Sequence, residues 1–154
     1  MPIIDPDSIT ANSGSSYPEP FDKVVSQKSW LALGEAANLT QFGVNLMTIE
    51  PGGISSQRHW HEGEDEFLLV LEGELVLVEE NGETVMRSGD MAGFKAGVEN
   101  GHHMMNRSSD AAKFLVVGTT ATYDICHYPD IDLRFEADEK GERFVNKAGI
   151  AYKQ

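Results

Sequence analysis

Cysteine is nearly missing: Cys126 stands alone in 154 residues, so no internal disulfide can form and a reducing, cytoplasmic compartment is expected. Long hydrophobic runs are missing too. The longest, such as Phe67–Leu71, are far too short to cross a bilayer as a helix. Cationic residues are scarce: 12 Lys and Arg stand against 25 Asp and Glu, a formal charge of −13 at pH 7. That balance speaks against nucleic acid and anionic membrane surfaces as partners. It does not exclude an anionic small molecule, because a bound divalent cation can reverse the field locally. The amino terminus, MPIIDPDSIT, has no basic segment followed by an apolar one, so no secretory leader is expected. Convincing helical periodicity is absent before residue 120, and there are no internal repeats or low-complexity segments. The expectation is one soluble, non-helical domain.

What is present is a succession of short β-compatible runs separated by turn residues. Ser29–Leu33 and Phe42–Ile49 come first, and Pro51-Gly52-Gly53 closes the second. Glu66–Leu71 and Glu74–Val78 flank a turn at Glu72-Gly73. Asn81-Gly82 is a two-residue hairpin signal. Thr84–Met86, Met91–Phe94, Met104–Arg107 and Lys113–Val117 follow, with a turn at Ser88-Gly89-Asp90 between the first two. Such spacing predicts an all-β, antiparallel double-sheet barrel of roughly eight strands in two Greek keys, whose interior can hold a ligand. Residues 22–120 form the barrel on this reading. Residues 1–21, rich in Pro, Ser, Gly and Asp, read as an extended arm that either drapes over the domain or a partner subunit, or frays. Residues 121–154 read as a tail with short strands, Leu133–Phe135 and Arg143–Val145, about a turn at Glu139–Gly141. Its cluster of Tyr123, Asp124, His127, Tyr128 and Asp130 is either a lid bearing acids and bases or part of a tail packed across the barrel or a neighbouring subunit.

The stretch Gly53–Gly73, GISSQRHWHEGEDEFLLVLEG, concentrates the chemistry. On an extended strand, residues i and i+2 share a face, so His59 and His61 project together while Arg58 and Trp60 point the other way. Glu62-Gly63-Glu64-Asp65 has turn composition and can bring Glu66 back beside the two imidazoles. Two imidazoles and a carboxylate are a first-row transition-metal set that leaves positions open for substrate. Gln57 lies on the same strand face as the histidines. Asn45, Met47, Phe94 and Met104 either line a cavity or pack as core. Arg58 is expected to pair with surface acids, whereas Lys95 sits near the barrel mouth and can meet an anionic substrate.

A second cluster lies at Gly89–Asn106, GDMAGFKAGVENGHHMMN. Adjacent strand residues face opposite ways, so only one of His102 and His103 can join an interior site. His102 shares its face with Met104 and Asn106.

With both clusters in view, the chain resembles the cupin superfamily. The first cupin motif, G-x5-H-x-H-x4-E-x6-G, is met at Gly53, His59, His61, Glu66 and Gly73 with every spacing intact. The second, G-x5-P-x-G-x2-H-x3-N, is met at Gly89, Gly97, His102 and Asn106. Lys95 replaces its proline, and Val98–Gly101 lengthens the loop before His102. The resemblance spans about residues 42–120. It implies a jelly-roll barrel holding one metal through His59, His61, Glu66 and His102. The ion is Fe, Mn, Ni, Co, Cu or Zn, and sequence does not choose among them. It further implies an enzyme acting on a small oxygenated metabolite, foremost a sugar or sugar-phosphate isomerase or epimerase in which Glu66 or a tail residue moves the proton. Gln57, Asn45, Phe94, Met104 and Asn106 are the candidate substrate-pocket residues. An Fe-dependent dioxygenase and a non-catalytic small-molecule or metal-binding module are the alternatives. A homodimer is expected through the outer sheet, with arm and tail as exchange elements.

Overall fold

The computed structural model describes residues 3–153; Met1 and Pro2 of the expected arm and Gln154 of the tail lie outside them. Besides two 3-10 turns at Pro6–Ser8 and Phe21–Lys23, thirteen strands and one short α-helix follow in order among the described residues: β1 Asn12–Ser13, β2 Lys28–Ala32, α1 Leu33–Ala36, β3 Phe42–Ile49, β4 Trp60–His61, β5 Glu66–Glu72, β6 Glu74–Glu79, β7 Gly82–Arg87, β8 Met91–Phe94, β9 His103–Met105, β10 Ala112–Thr119, β11 Asp124–Tyr128, β12 Leu133–Asp138 and β13 Gly141–Val145. A six-stranded sheet, β1-β2-β3-β10-β5-β8, forms one wall. The opposite wall combines β7-β6-β9 with β13-β12-β11-β4, and single antiparallel bridges, His59–His102 and Ile54–Met105, tie the ligand segment to β9.

Alternation along the strands builds the core. Met47 and Ile49 of β3, Leu68 and Val70 of β5, and Ala112 and Phe114 of β10 turn inward. They meet Leu75 and Leu77 of β6, Met86 of β7 and Met104 of β9. Burying each large side chain contributes about 1.5–3 kcal/mol relative to exposure, against about 0–1 kcal/mol for a surface ion pair. The double sheet is therefore held by this layer rather than by its many acidic surface contacts.

The expected turn at Glu72-Gly73 is present, and the chain changes wall there, because β5 and β6 belong to different sheets. Gly73 has φ +78°, and a Cβ on it would stand 2.9 Å from the Ala112 Cβ, so the corner needs glycine. In the β6–β7 hairpin, Glu79 pairs with Gly82. Glu80 and Asn81 therefore make the turn, and Gly82 opens the return strand.

The tail builds a sheet of its own on the ligand strand. β11 pairs with β4 through Cys126–His61 and His127–Trp60. Cys126, Tyr128, Leu133 and Phe144 form a second small core. Within the arm, β1 pairs with β2, and Tyr17 packs edge-on to Tyr128 at 5.5 Å and against Phe144 at 5.8 Å. The described part of the arm drapes over its own domain.

Candidate metal centre

His59 and His61 lie on one extended segment gripped from both sides. The bridge to His102 fixes its first residue, and pairing with β11 fixes its last. Arg58 and Trp60 point away, as the alternation predicts. Arg58 makes a fork of 2.7 Å bonds to Asp130 and a 2.6 Å bond to Glu80. Trp60 stacks on His127 at 4.2 Å, and His127 in turn meets Glu62 at 2.6 Å. The Glu62–Asp65 turn then delivers Glu66 as the first residue of β5.

In each of the three inward histidines the Nδ1 faces an acceptor. His59 meets the Gln57 carbonyl at 2.9 Å, His61 the Asp124 carboxylate at 2.6 Å, and His102 the Asn100 carbonyl at 3.2 Å. Carbonyls and carboxylates can only accept, so each Nδ1 carries a proton and each Nε2 is the ring nitrogen turned toward the centre. All three Nε2 atoms converge on one atom, Glu66 Oε2, at 3.7 Å from His59, 4.0 Å from His61 and 2.9 Å from His102. Each Nε2 can bind a metal once it gives up any proton it holds; His59, Glu66 and His102 offer ligand atoms within 4.8 Å of one another, and His61 Nε2 lies 4.0 Å from the same carboxylate oxygen. The donor set therefore fits a first-row transition metal.

The charges agree. Burial alone would raise the Glu66 carboxyl, but the imidazoles of His102 and His59 hold it well below the usual carboxylate range. Burial opposes charge on His61, yet the hydrogen bond to Asp124, together with the neighbouring Cys126 and Glu66, outweighs it and lifts its pKa to about 11. The Cys126 thiol, buried behind His61, is pushed up by its burial and stays neutral, so it is a poor ligand. Asp124 reaches His61 directly, so it orients that ring and would serve as the outer carboxylate of a metal bound there. His103 turns elsewhere, with its Nδ1 2.9 Å from the Ser56 carbonyl.

Three cavities border Glu66. An interior one of about 130 Å³ is lined by Met47, Phe94, Met104 and Phe114 among others. One of about 190 Å³ opens past Trp60, His61, Glu64, Lys95, Val98 and His102. A third, of about 260 Å³, has Asn45 and Glu64 on its wall. Asn45, Phe94, Met104 and Lys95 thus stand where a ligand could be met. Phe94 also stacks on His102, with ring centroids 3.5 Å apart.

Gln57 and Asn106 are directed elsewhere, which corrects their reading as pocket residues. The Gln57 amide donates to the Phe21 carbonyl at 3.1 Å and ties the arm to the ligand loop. Asn106, 1% exposed, donates to Ile49 and Asp110 carbonyls and accepts from Ser108, stapling the loop before β10. Both share the predicted strand parity, but their amides are taken up by backbone carbonyls.

Sequence reasoning missed two groups. Asp124 was one of five polar residues in the tail, and only the Asp124-Cys126-Tyr128 alternation marked it as inward. Glu64 was read as turn composition. It lines both outer cavities; burial raises its carboxyl, and its Oε1 accepts from the Ala121 N–H at 3.0 Å. Of the remaining tail cluster, Tyr123 is 59% exposed, and His127 and Asp130 brace Trp60 and Arg58.

Comparison with known proteins places this geometry among relatives. A cupin-domain family model matches residues 45–118. A crystal structure from Silicibacter pomeroyi, described as a sugar phosphate isomerase from a cupin superfamily, is 45% identical and superposes with a TM-score of 0.94 over 99% of this chain and 97% of that one. A putative sugar phosphate isomerase from Acidithiobacillus ferrooxidans is 29% identical, with a TM-score of 0.74 over 82% of this chain and 81% of its own. A polyketide cyclase from Streptomyces resistomycificus, 20% identical with a TM-score of 0.63 over 77% of this chain and 79% of its own, shares the fold alone. No curated protein matches the sequence.

Proposed function

The chain belongs to the cupin superfamily, and from that premise we propose that it is a metal-dependent enzyme that isomerises a sugar phosphate. The observation that carries this reading is the 45% identity, across 99% of the chain, to a protein described as a sugar phosphate isomerase. The convergence of three Nε2 atoms on Glu66 supports a metal held by His59, His61, Glu66 and His102. A divalent first-row ion bound there supplies Lewis-acid polarisation of adjacent carbonyl and hydroxyl oxygens.

An aldose–ketose exchange moves one hydrogen from the hydroxyl-bearing carbon to the carbonyl carbon and one proton between their oxygens. No outside oxidant is needed. Two carboxylates border the cavity at the centre, and their surroundings support different roles. Glu66, held ionised by His102 and His59, suits a ligand. Glu64 points to the same space from the preceding turn and suits the group that takes the carbon-bound proton and returns it to the neighbouring carbon. Phe94, stacked on His102, and Trp60 border the same cavity.

The test is anaerobic NMR in deuterated water on a panel of aldose phosphates, with the protein loaded in turn with Mn, Fe, Co, Ni or Zn. The expected result is ketose phosphate carrying solvent deuterium, abolished by chelation. Glu64→Gln is expected to lower kcat roughly 10²–10⁴-fold with unchanged metal content. Turnover only with consumption of O₂ would overturn the reading in favour of a dioxygenase. Saturable binding without turnover under every metal would overturn it in favour of a binding module.

A further inference from the structure

We infer that Lys95 is the anion-recognising residue of this site and that it seats the phosphate of the substrate at the mouth of the 190 Å³ cavity; this rests on the sugar-phosphate reading above. That cavity runs from His61, Glu66 and His102 at its inner end to Lys95, Val98 and Asn100 at its rim. Its wall carries two carboxylates, Glu64 and Glu66, beside the metal ligands. Lys95 is the sole Lys or Arg on it. The surrounding protein carries −13 charges, so a dianionic group entering here meets a repulsive field unless a cation faces it.

Lys95 is exposed and makes no ion pair among the described residues. Other cations near the centre are engaged. Arg58 is held by Asp130 and Glu80, and the Lys28 ammonium donates to the Ser55 carbonyl at 2.8 Å. Local backbone is fixed around Lys95 rather than loose. Ala96 N–H donates to Asp65 at 2.8 Å, Gly97 N–H to the His61 carbonyl at 2.8 Å, and Val98 N–H to the Lys95 carbonyl itself at 3.2 Å. The rim is therefore registered directly against the ligand strand.

Asn100 is anchored away from Lys95, one amide N–H donating to Glu79 at 2.7 Å and its oxygen accepting from the Glu80 N–H at 3.2 Å. Trp60, its ring stacked on His127, borders the outer part of the same cavity. Lys95 and the Val98–Gly101 loop are also the two places where the chain departs from the second motif, and both fall on this one rim. The cavity is thus polarised: oxygens to be polarised go inward, and the anionic group stays at the lysine.

The experiment is calorimetric titration of the protein as purified, with a pentose 5-phosphate, the unphosphorylated pentose and inorganic phosphate as probes. The wild type is compared with Lys95→Met and Lys95→Arg, and metal content and thermal midpoint are checked in each. The wild type is expected to prefer the pentose 5-phosphate. Lys95→Met is expected to weaken it roughly ten- to hundredfold while leaving the free pentose unchanged, as loss of a charge-assisted bond requires. Lys95→Arg is expected to restore most of the preference. A preference that survives in Lys95→Met, or no preference in the wild type, overturns the assignment. If the preference depends on Lys95 but no isomerisation is found, the reaction is wrong and the anion site stands. Isomerisation indifferent to Lys95 removes only the anion site.

Discussion

At the scale of single residues, the side chain that matters most beyond the ligands is Asp124. It holds the His61 ring through a 2.6 Å bond and is itself anchored by the Gly63 N–H at 2.8 Å. Asp124→Asn keeps the shape and removes the charge. Metal affinity is expected to fall roughly ten- to hundredfold, measured by competition with a chelator. An unchanged affinity would reduce Asp124 to packing. The same bond sets a pH dependence. Without metal, His61 titrates at about 11 rather than its ordinary value of about 6.5. The folded chain then holds a proton that the unfolded chain has lost. This stabilisation is complete below about pH 6.5, declines above it, and is gone once pH passes about 11. Metal entry at neutral pH must displace that proton. Calorimetry in buffers of different ionisation heat is expected to show its release, and none would mean that His61 stays outside the centre. His59, His61 and Glu66 were legible because strand alternation and a short turn place them together locally, whereas His102 was carried by its spacing to Asn106 in the motif resemblance. Asp124 was not legible, because its partner is 63 positions away and β11–β4 pairing leaves no local trace.

At the scale of elements, the dependence runs through the close approach of β11 to the Glu62–Asp65 turn. A Cβ on Gly63 would stand 2.5 Å from the Tyr123 carbonyl oxygen. Gly63→Ala must push the tail sheet away from β4, at a cost of roughly 1–3 kcal/mol, or a drop of roughly 2–10 °C in the thermal midpoint. A melt that superposes on the wild type would show the tail to be dispensable to the ligand strand. Strand positions were readable: β3 and β8 fall on the expected Phe42–Ile49 and Met91–Phe94. Partners were less so. Alternation reports which face of a strand is buried, not which strand lies beside it. The Glu72-Gly73 turn was therefore readable, but not that it joins two sheets. β6 also hid its alternation, because Leu75, Val76 and Leu77 are all buried.

At the scale of the whole molecule, the outer face of the six-stranded sheet is the surface least like the rest. The register places Val44 and Leu46 of β3, Leu115 and Val117 of β10, and Phe67 and Leu69 of β5 side by side, with Met91 of β8 beyond. Met91 is 63% and Phe67 43% exposed, and no charge interrupts these seven positions in a chain of net charge −13. Two such chains repel except across a charge-free face, and we propose that two copies pair here about a twofold axis. Phe67→Glu together with Leu115→Glu is expected to give a monomer in sedimentation, whereas a wild type that already sediments as a monomer contradicts the pairing. The claim on which all else depends is the single ion among His59, His61, Glu66 and His102. Anomalous diffraction from crystals of the protein purified from its native source tests it most directly. One peak bonded to the three Nε2 atoms and to Glu66 is the result expected. No peak there, or a peak ligated by other residues, contradicts the account.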